Sequence, residues 1–174
     1  MRGDVIIVED HHRRAAVAIV DAVRDTLRGL DRPYTITVAG ESGSGKSETG
    51  QALKEAFEAE GIRAVVLQQD DYFVRPPQSN DAARRHDPDT VGTDEVKLDL
   101  LNDHLRAAKE GASSITKPLV IYDEDRVTEE QLSYTDVDVV IAEGTYTTLL
   151  DEADTRVFIA RDYHETLEAR KRRA

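Results

Sequence analysis

Residues 34–50 read YTITVAGESGSGKSETG, and this stretch decides the fold. Thr35–Ala39 is a short, uncharged run of strand-forming residues, the mark of a buried strand. The eight residues from Gly40 to Ser47 then fit the pattern G-x-x-x-x-G-K-[ST]. A loop of this kind needs glycine because its backbone must curl around phosphate oxygens with no side chain in the way. Its N–H groups turn inward as an anion nest, and the helix that follows adds its positive N-terminal end. Gly40, Ser42, Gly43, Ser44, Gly45, Lys46, Ser47 and Glu48 are therefore expected to cradle the phosphates of ATP. Lys46 would reach the β- and γ-phosphates, and the Ser47 hydroxyl would ligate Mg2+. Ser47–Glu60 continues as a helix with Leu53, Ala56 and Phe57 facing inward.

Strand-like and helix-like stretches alternate on either side of this unit, which predicts a parallel α/β sheet. The expectation is a three-layer P-loop NTPase fold, with a mostly parallel central sheet and helices on both faces. Asp4–Val8 reads as a short strand, and about Arg13–Leu30 as a helix with Val17, Val20, Val23 and Leu27 at helical spacing. Ala64–Gln68 is a second core strand. Residues 70–92 are polar, contain Pro76, Pro77 and Pro88, and read as an ordered surface excursion. Asp94–Glu110 is a helix, Ile115–Tyr122 an extended segment suited to half of a hairpin, and Val137–Ala142 a third core strand. Arg156–Ala160 is a fourth, followed by a charged helix. The 174 residues form one domain on this reading, with residues 1–32 as a strand–helix extension and about 161–174 as the start of a lid helix.

Composition narrows the function. The net charge of −12 argues against nucleic acid as a partner, because that binding rests on Lys and Arg neutralising phosphates. A small anionic ligand is still admissible, since local donors and a metal ion override the global field. No apolar run approaches a membrane span and the first residues lack a signal-peptide pattern, so a cytoplasmic protein with no membrane partner is expected. There is no cysteine, hence no disulfide and no thiolate zinc site. Acid-rich, lysine-poor composition, 17 Arg against 6 Lys, would also suit a salty cytoplasm. The run Glu9-Asp10-His11-His12 reads as a helix start capped by Asp10 rather than as a metal site. A homo-oligomer is left open.

Ligands in open α/β sheets bind beyond the carboxyl ends of the strands. The second strand ends at LQQDDYF, which puts Asp70 and Asp71 at the same edge as the phosphate loop. A carboxylate there can take the proton of an acceptor hydroxyl as it attacks the γ-phosphate; Asp70, nearer the strand end, is the stronger candidate. The third strand ends at IAEGTY, where Glu143 would hold Mg2+ opposite Ser47. Arg161, Arg170, Arg172 and Arg173 are grouped as part of a lid, where arginines stabilise the charge that spreads over a moving phosphoryl group.

The ordered series VVLQQDDYF, HDPDT, KPLVIYDEDR, DVVIAEGTY and a final arginine-bearing helix resembles the uridine kinase and phosphoribulokinase-like group of P-loop kinases, from Tyr34 onward. The resemblance implies ATP- and Mg2+-dependent phosphoryl transfer to a hydroxyl of a small metabolite, a nucleoside or sugar. It makes Asp70 the general base and Glu143 the magnesium-assisting residue. Asp71, Tyr72, Asp87, Tyr122 and Asp123 fall on the acceptor side, and Arg170 and Arg173 on the phosphates. Two departures bear on the acceptor. His86-Asp87-Pro88 stands where uridine kinases show Asp-His-Pro, which shifts the ribose-gripping acid by one. Glu124 and Val127 replace an aromatic residue and a His that hold the pyrimidine, and Arg126 between them would suit an anionic or polyhydroxylated acceptor. The alternative is a nucleotide-binding regulator with weak ATPase activity and no acceptor.

Overall fold

In the computed structural model, which describes residues 1–3, 5–161, 164, 166 and 167, the strand Tyr34–Gly40 (β1) lies inside the sheet with all 7 residues buried. Its neighbours are Ala64–Gln68 (β2), Val139–Glu143 (β5) and Thr155–Ile159 (β6), in the order β2-β5-β1-β6 and all parallel. Strands buried on both faces read as unbroken apolar runs, which is why VVIAE and TITVA carry so little alternation. Register sets the site: Glu143 stands opposite Val38 on one side and Gln68 on the other, so β2 and β5 finish level while β1 runs on to Gly40 beside β6.

Two helices cover one face. Asp10–Arg28 (α1) buries Ala16, Val20 and Val23, and Lys46–Ala59 (α2) buries Ala52, Leu53 and Phe57. Together with Ile36, Val38, Val139 and Ile141 they form one core cluster. On the other face, Leu98–Lys109 (α4) packs Leu101 and Leu105 against Val140 and Ala142. β5 thus serves both cores by simple alternation of its side chains. Helices on both faces of a parallel sheet make the expected three layers. A bidentate pair, Arg32 with Asp154 at 2.8 and 2.9 Å, ties the start of β1 to the start of β6, and Asp154 also accepts from the Thr35 N–H at 3.0 Å. Burial raises the Asp154 pKa, but these bonds and Lys109 outweigh it and leave the carboxyl well below the usual range.

The structure departs from the sequence reading in four places. Residues 5–8 form no strand, with Val5 and Ile7 exposed. The preceding segment is pinned elsewhere, by Arg2 N–H to the Val120 carbonyl at 2.9 Å and Tyr122 N–H to the Arg2 carbonyl at 3.2 Å. The chain then crosses to α1 beside the edge strand β2, with Ile6 in one groove with Val65 and Val66, without joining the sheet. The cap of α1 is Glu9, not Asp10, in a capping box in which His12 Nδ1 accepts from the Glu9 N–H at 3.1 Å. Residues 70–92 include a regular helix, Pro77–His86 (α3). Pro77 starts it, where a missing N–H costs nothing, and Asp125 accepts from Gln78 N–H at 2.7 Å and the Ser79 hydroxyl at 2.9 Å. The helix expected from Asp94 begins instead at Leu98, because Thr93–Glu95 make a short 3-10 turn and Val96 is extended.

The extended segment is one arm of a hairpin. Ser114–Ile121 (β3) pairs antiparallel with Arg126–Ser133 (β4) as a separate two-stranded sheet. Its anchor is a buried ion pair: Lys117 Nζ donates to Asp71 Oδ2 at 2.6 Å, while Val120 N–H donates to Asp71 Oδ1 at 2.9 Å. No helix among the described residues is long and apolar enough to cross a membrane.

Candidate active site

A cleft of about 420 Å³ opens beyond the carboxyl ends of β1, β2 and β5. Its floor is the phosphate loop. Gly43 and Gly45 hold φ of 75° and 95°, left-handed values that favour glycine. Gly40 is required by space, since a Cβ there would stand 2.7 Å from Ser44 Oγ and 3.0 Å from the Ile159 carbonyl oxygen. Ser42, Gly43, Lys46 and Ser47 line the cleft, and Lys46 Nζ donates to the Glu41 carbonyl at 2.9 Å. Ser44 is buried behind the loop, and Glu48 lies in the first turn of α2, near His12.

Glu143 continues the alternation of β5 on the face of Val139 and Ile141, which carries it beneath α2. Gly50 leaves the room: a Cβ at that position would be 3.4 Å from Glu143 Cγ. There the carboxyl is buried and hydrogen-bonded to the Ser47 side chain. Burial, then the charge of Asp70, push its pKa up to about 8, against the opposing pull of Lys46 and the Ser47 bond. A buried carboxyl beside a second carboxylate and a hydroxyl is short of positive charge. Those are the oxygen donors a hard cation takes, and Mg2+ typically uses one or two carboxylates together with substrate phosphates. The residues therefore fit Mg2+, which Ser47 and Glu143 would hold.

Asp70 and Asp71 sit in one 3-10 turn, Gln69–Tyr72, and diverge. Asp70 is exposed and lines the cleft beside Lys46 and Glu143. Asp71 points inward to Lys117, so the structure assigns it to the hairpin anchor and away from the acceptor side. Tyr72 is likewise interior, with its hydroxyl 2.8 Å from Nδ1 of His104. Burial lowers the His104 pKa, so a neutral ring and the phenol share this hydrogen bond. Gln69 locks the same turn against β5: Tyr146 N–H donates to Gln69 Oε1 at 2.7 Å, and a Cβ on Gly144 would stand only 2.2 Å from Gln69 Cβ.

On the far wall Tyr122 lines the cleft, as expected. Asp123, Asp87 and Arg126 do not. Asp87 accepts from Asp89 N–H at 3.1 Å and caps the Pro88–Thr90 turn. Arg126 is exposed and spends its guanidinium on Glu124, at 2.9 and 2.7 Å. Arg170 and Arg173 lie outside the described residues. Sequence reasoning missed two arginines that line the cleft, Arg75 and, on α3, Arg84. Arg84 is the one held in place. It grips buried Glu95 through Nε at 2.5 Å and Nη2 at 3.0 Å, and lies 5.5 Å over the Phe73 ring. Asn80 Nδ2 and Gly92 N–H complete the carboxylate at 3.2 and 3.1 Å. Asn80 and Arg84 are four residues apart, so once α3 is recognised their shared face is the signal that could have found them.

The model of the phosphoribulokinase / uridine kinase family matches residues 35–165. The bifunctional alpha-galactosidase/sucrose kinase of Mediterraneibacter gnavus is 31% identical over 150 residues, covering 79% of this chain and 16% of that protein. The uridine kinase of Leuconostoc citreum (strain KM20) is 29% identical over 139 residues, 75% of this chain and 63% of that one. The chain thus spans less than two thirds of either relative. Among solved structures, a protein of Silicibacter sp. TM1040 designated a fructose transport system kinase superposes with a TM-score of 0.74 at 18% identity, over 91% of this chain and 80% of that one. Phosphoribulokinase from Rhodobacter spheroides superposes at 0.57 with 14% identity, over 74% and 51%; both likenesses show the fold. With matched residues running from β1 through the cleft to the end of the described chain, this protein belongs to the phosphoribulokinase/uridine kinase family.

Proposed function

We propose that this chain is a small-molecule kinase, which transfers the γ-phosphoryl group of ATP to a hydroxyl of a polyhydroxylated metabolite such as a sugar or nucleoside. The observation that carries this reading is Asp70, an exposed carboxylate at the junction of the phosphate loop and the cleft. A protein that only senses ATP needs no such group. Lys46 and the backbone N–H groups of Gly43–Ser47 hold the β- and γ-phosphates. Ser47 and Glu143 would hold Mg2+, which would supply charge neutralisation to the transferring group. The acceptor lies between Tyr122 and Arg84, its hydroxyl hydrogen-bonded to Asp70. Asp70 accepts the proton as the oxygen attacks phosphorus in line, and ADP leaves with its new charge on the phosphate loop.

Arg84 bears on the acceptor class. Its charge is compensated by Glu95, so what it offers the cleft is a fixed fork of donors rather than a bare cation. Such a group suits hydroxyls as well as anions. The relatives are named for sucrose, fructose and uridine, all polyhydroxylated.

The test is ADP release from Mg2+-ATP against uridine, cytidine, pentoses, hexoses, sucrose, sugar phosphates and glycerate. Stimulation by at least one acceptor is expected. Asp70→Asn should then lower turnover by about a hundred- to ten-thousandfold while ATP binding is kept. Undiminished turnover in that variant would remove Asp70 from the mechanism. ATP binding without stimulation by any acceptor would favour the regulator.

A further inference from the structure

The turn that carries Asp70 is fixed through its other three residues. Gln69, Asp71 and Tyr72 are 1%, 2% and 0% exposed, while Asp70 is turned outward. Gln69 is tied to Tyr146 N–H after β5, Tyr72 to His104 on α4, and Asp71 to Lys117 and Val120 N–H on β3. The N-terminal ammonium also reaches Asp71, at 3.2 Å. Lys117 has an acceptor for each of its three N–H donors: Asp71 Oδ2 at 2.6 Å, Glu130 Oε1 on β4 at 2.9 Å and the Pro118 carbonyl at 3.0 Å. Two residues beyond Val120, the same strand delivers Tyr122 to the acceptor wall.

We propose that Lys117 is a positioning residue: by holding Asp71, it fixes the catalytic base Asp70 at a set distance from the acceptor wall that Tyr122 forms. The inference rests on the kinase reading above and adds to it a side chain that lies behind the cleft rather than in its lining. Three considerations select positioning over plain stability. A buried ion pair contributes little net stability compared with apolar side chains of the same volume, yet it admits few geometries. The hairpin belongs to a sheet separate from the central one, so no ladder of backbone bonds sets its distance from the ends of β2 and β5. The strand that supplies both groups on Asp71 also supplies Tyr122, so base and acceptor wall move as one unit, and a displacement of about 1 Å between reacting groups can cost about a hundredfold in rate.

The experiment measures kcat/KM for an acceptor that the wild type phosphorylates, well below the thermal midpoint of every variant. Lys117→Met should lower it about ten- to a hundredfold with Mg2+-ATP affinity unchanged. Asp71→Asn keeps an acceptor for Val120 N–H and removes the charge. It should lower kcat/KM likewise, and it carries the test if Lys117→Met does not fold. Arg32→Met breaks another ion pair, with Asp154, at the opposite end of the sheet and should leave kcat/KM unchanged. The deciding arm repeats Lys117→Met in an Asp70→Asn background. A residue that acts through Asp70 should there cost less than about threefold, because residues acting as a unit do not add. The same loss in both backgrounds would overturn the proposal. Full activity in folded Lys117→Met and Asp71→Asn would do so too, as would an equal loss in Arg32→Met. A wild type that binds Mg2+-ATP and phosphorylates no acceptor would instead overturn the kinase reading on which this role rests.

Discussion

Glu143 concentrates the chemistry of the cleft in one side chain, and its titration has a definite sign. The carboxyl, with an ordinary value of 4.5, is raised to about 8 by burial and by Asp70. A group whose pKa is higher folded than unfolded contributes stability that is fully present below the unfolded value and lost as pH rises through the folded one. The ligand-free protein should therefore lose stability between about pH 4.5 and 8 on account of this residue. His12 and His104, both lowered by burial, act in the opposite direction over part of that window, so the test is a difference. Thermal midpoints of wild type and Glu143→Gln, measured against pH without metal or nucleotide, should diverge in favour of the variant as pH rises toward 8. Parallel curves would show that the carboxyl is not held protonated. The same variant should lose the additional stabilisation that Mg2+ with ADP gives the wild type.

Elements divide into those written locally and those written across the chain. The phosphate loop was legible because its chemistry lies in eight consecutive residues, and Glu143 because a carboxylate ending an apolar strand has few other uses. Asp70 and Asp71 could not be separated by spacing: a 3-10 turn sends neighbours in different directions, and Lys117, 46 positions away, claims one of them. Val5–Val8 has strand composition but joins neither sheet, and composition carries no information on which segments pair. α3 was hidden by polarity and proline. Its inward contacts are Asn80 and Arg84 on a buried Glu95, so it shows no apolar stripe. The hairpin makes the cost of such long-range polar links measurable. Lys117→Met would take from buried Asp71 its nearest cation and leave it the N-terminal ammonium at 3.2 Å, and breaking a buried pair costs up to about 3–5 kcal/mol. Replacing both partners, as Asp71→Asn with Lys117→Met, should recover part of that loss because the buried carboxylate is then gone. Chemical denaturation of the three variants reads this directly; a double variant no more stable than Lys117→Met would show that the backbone bond from Val120 N–H, not the charge pair, is the anchor.

At the scale of the whole molecule, the cleft and the surface work against each other. The sheet brings Asp70 and Glu143 together at the edge where a nucleotide's phosphates would lie, and the chain as a whole carries −12. The loop amides, Lys46, the N-terminal ammonium and a few arginines oppose that field locally. Self-repulsion of a chain this acidic destabilises the compact state, and the Debye length falls from about 30 Å at 0.01 M to about 10 Å at 0.1 M salt. Screening therefore reaches most surface carboxylate pairs within that interval. The thermal midpoint at pH 7 should rise as KCl is added from 0.01 to 0.1 M, by about 2–4 °C for each kcal/mol of repulsion relieved. Near the isoelectric point of about 4.8 the repulsion has gone, and the same salt should change little or act in reverse by weakening ion pairs such as Arg32–Asp154. A midpoint insensitive to KCl at pH 7 would mean that the acidic side chains are already neutralised in pairs, and that surface charge sets solubility here without limiting stability.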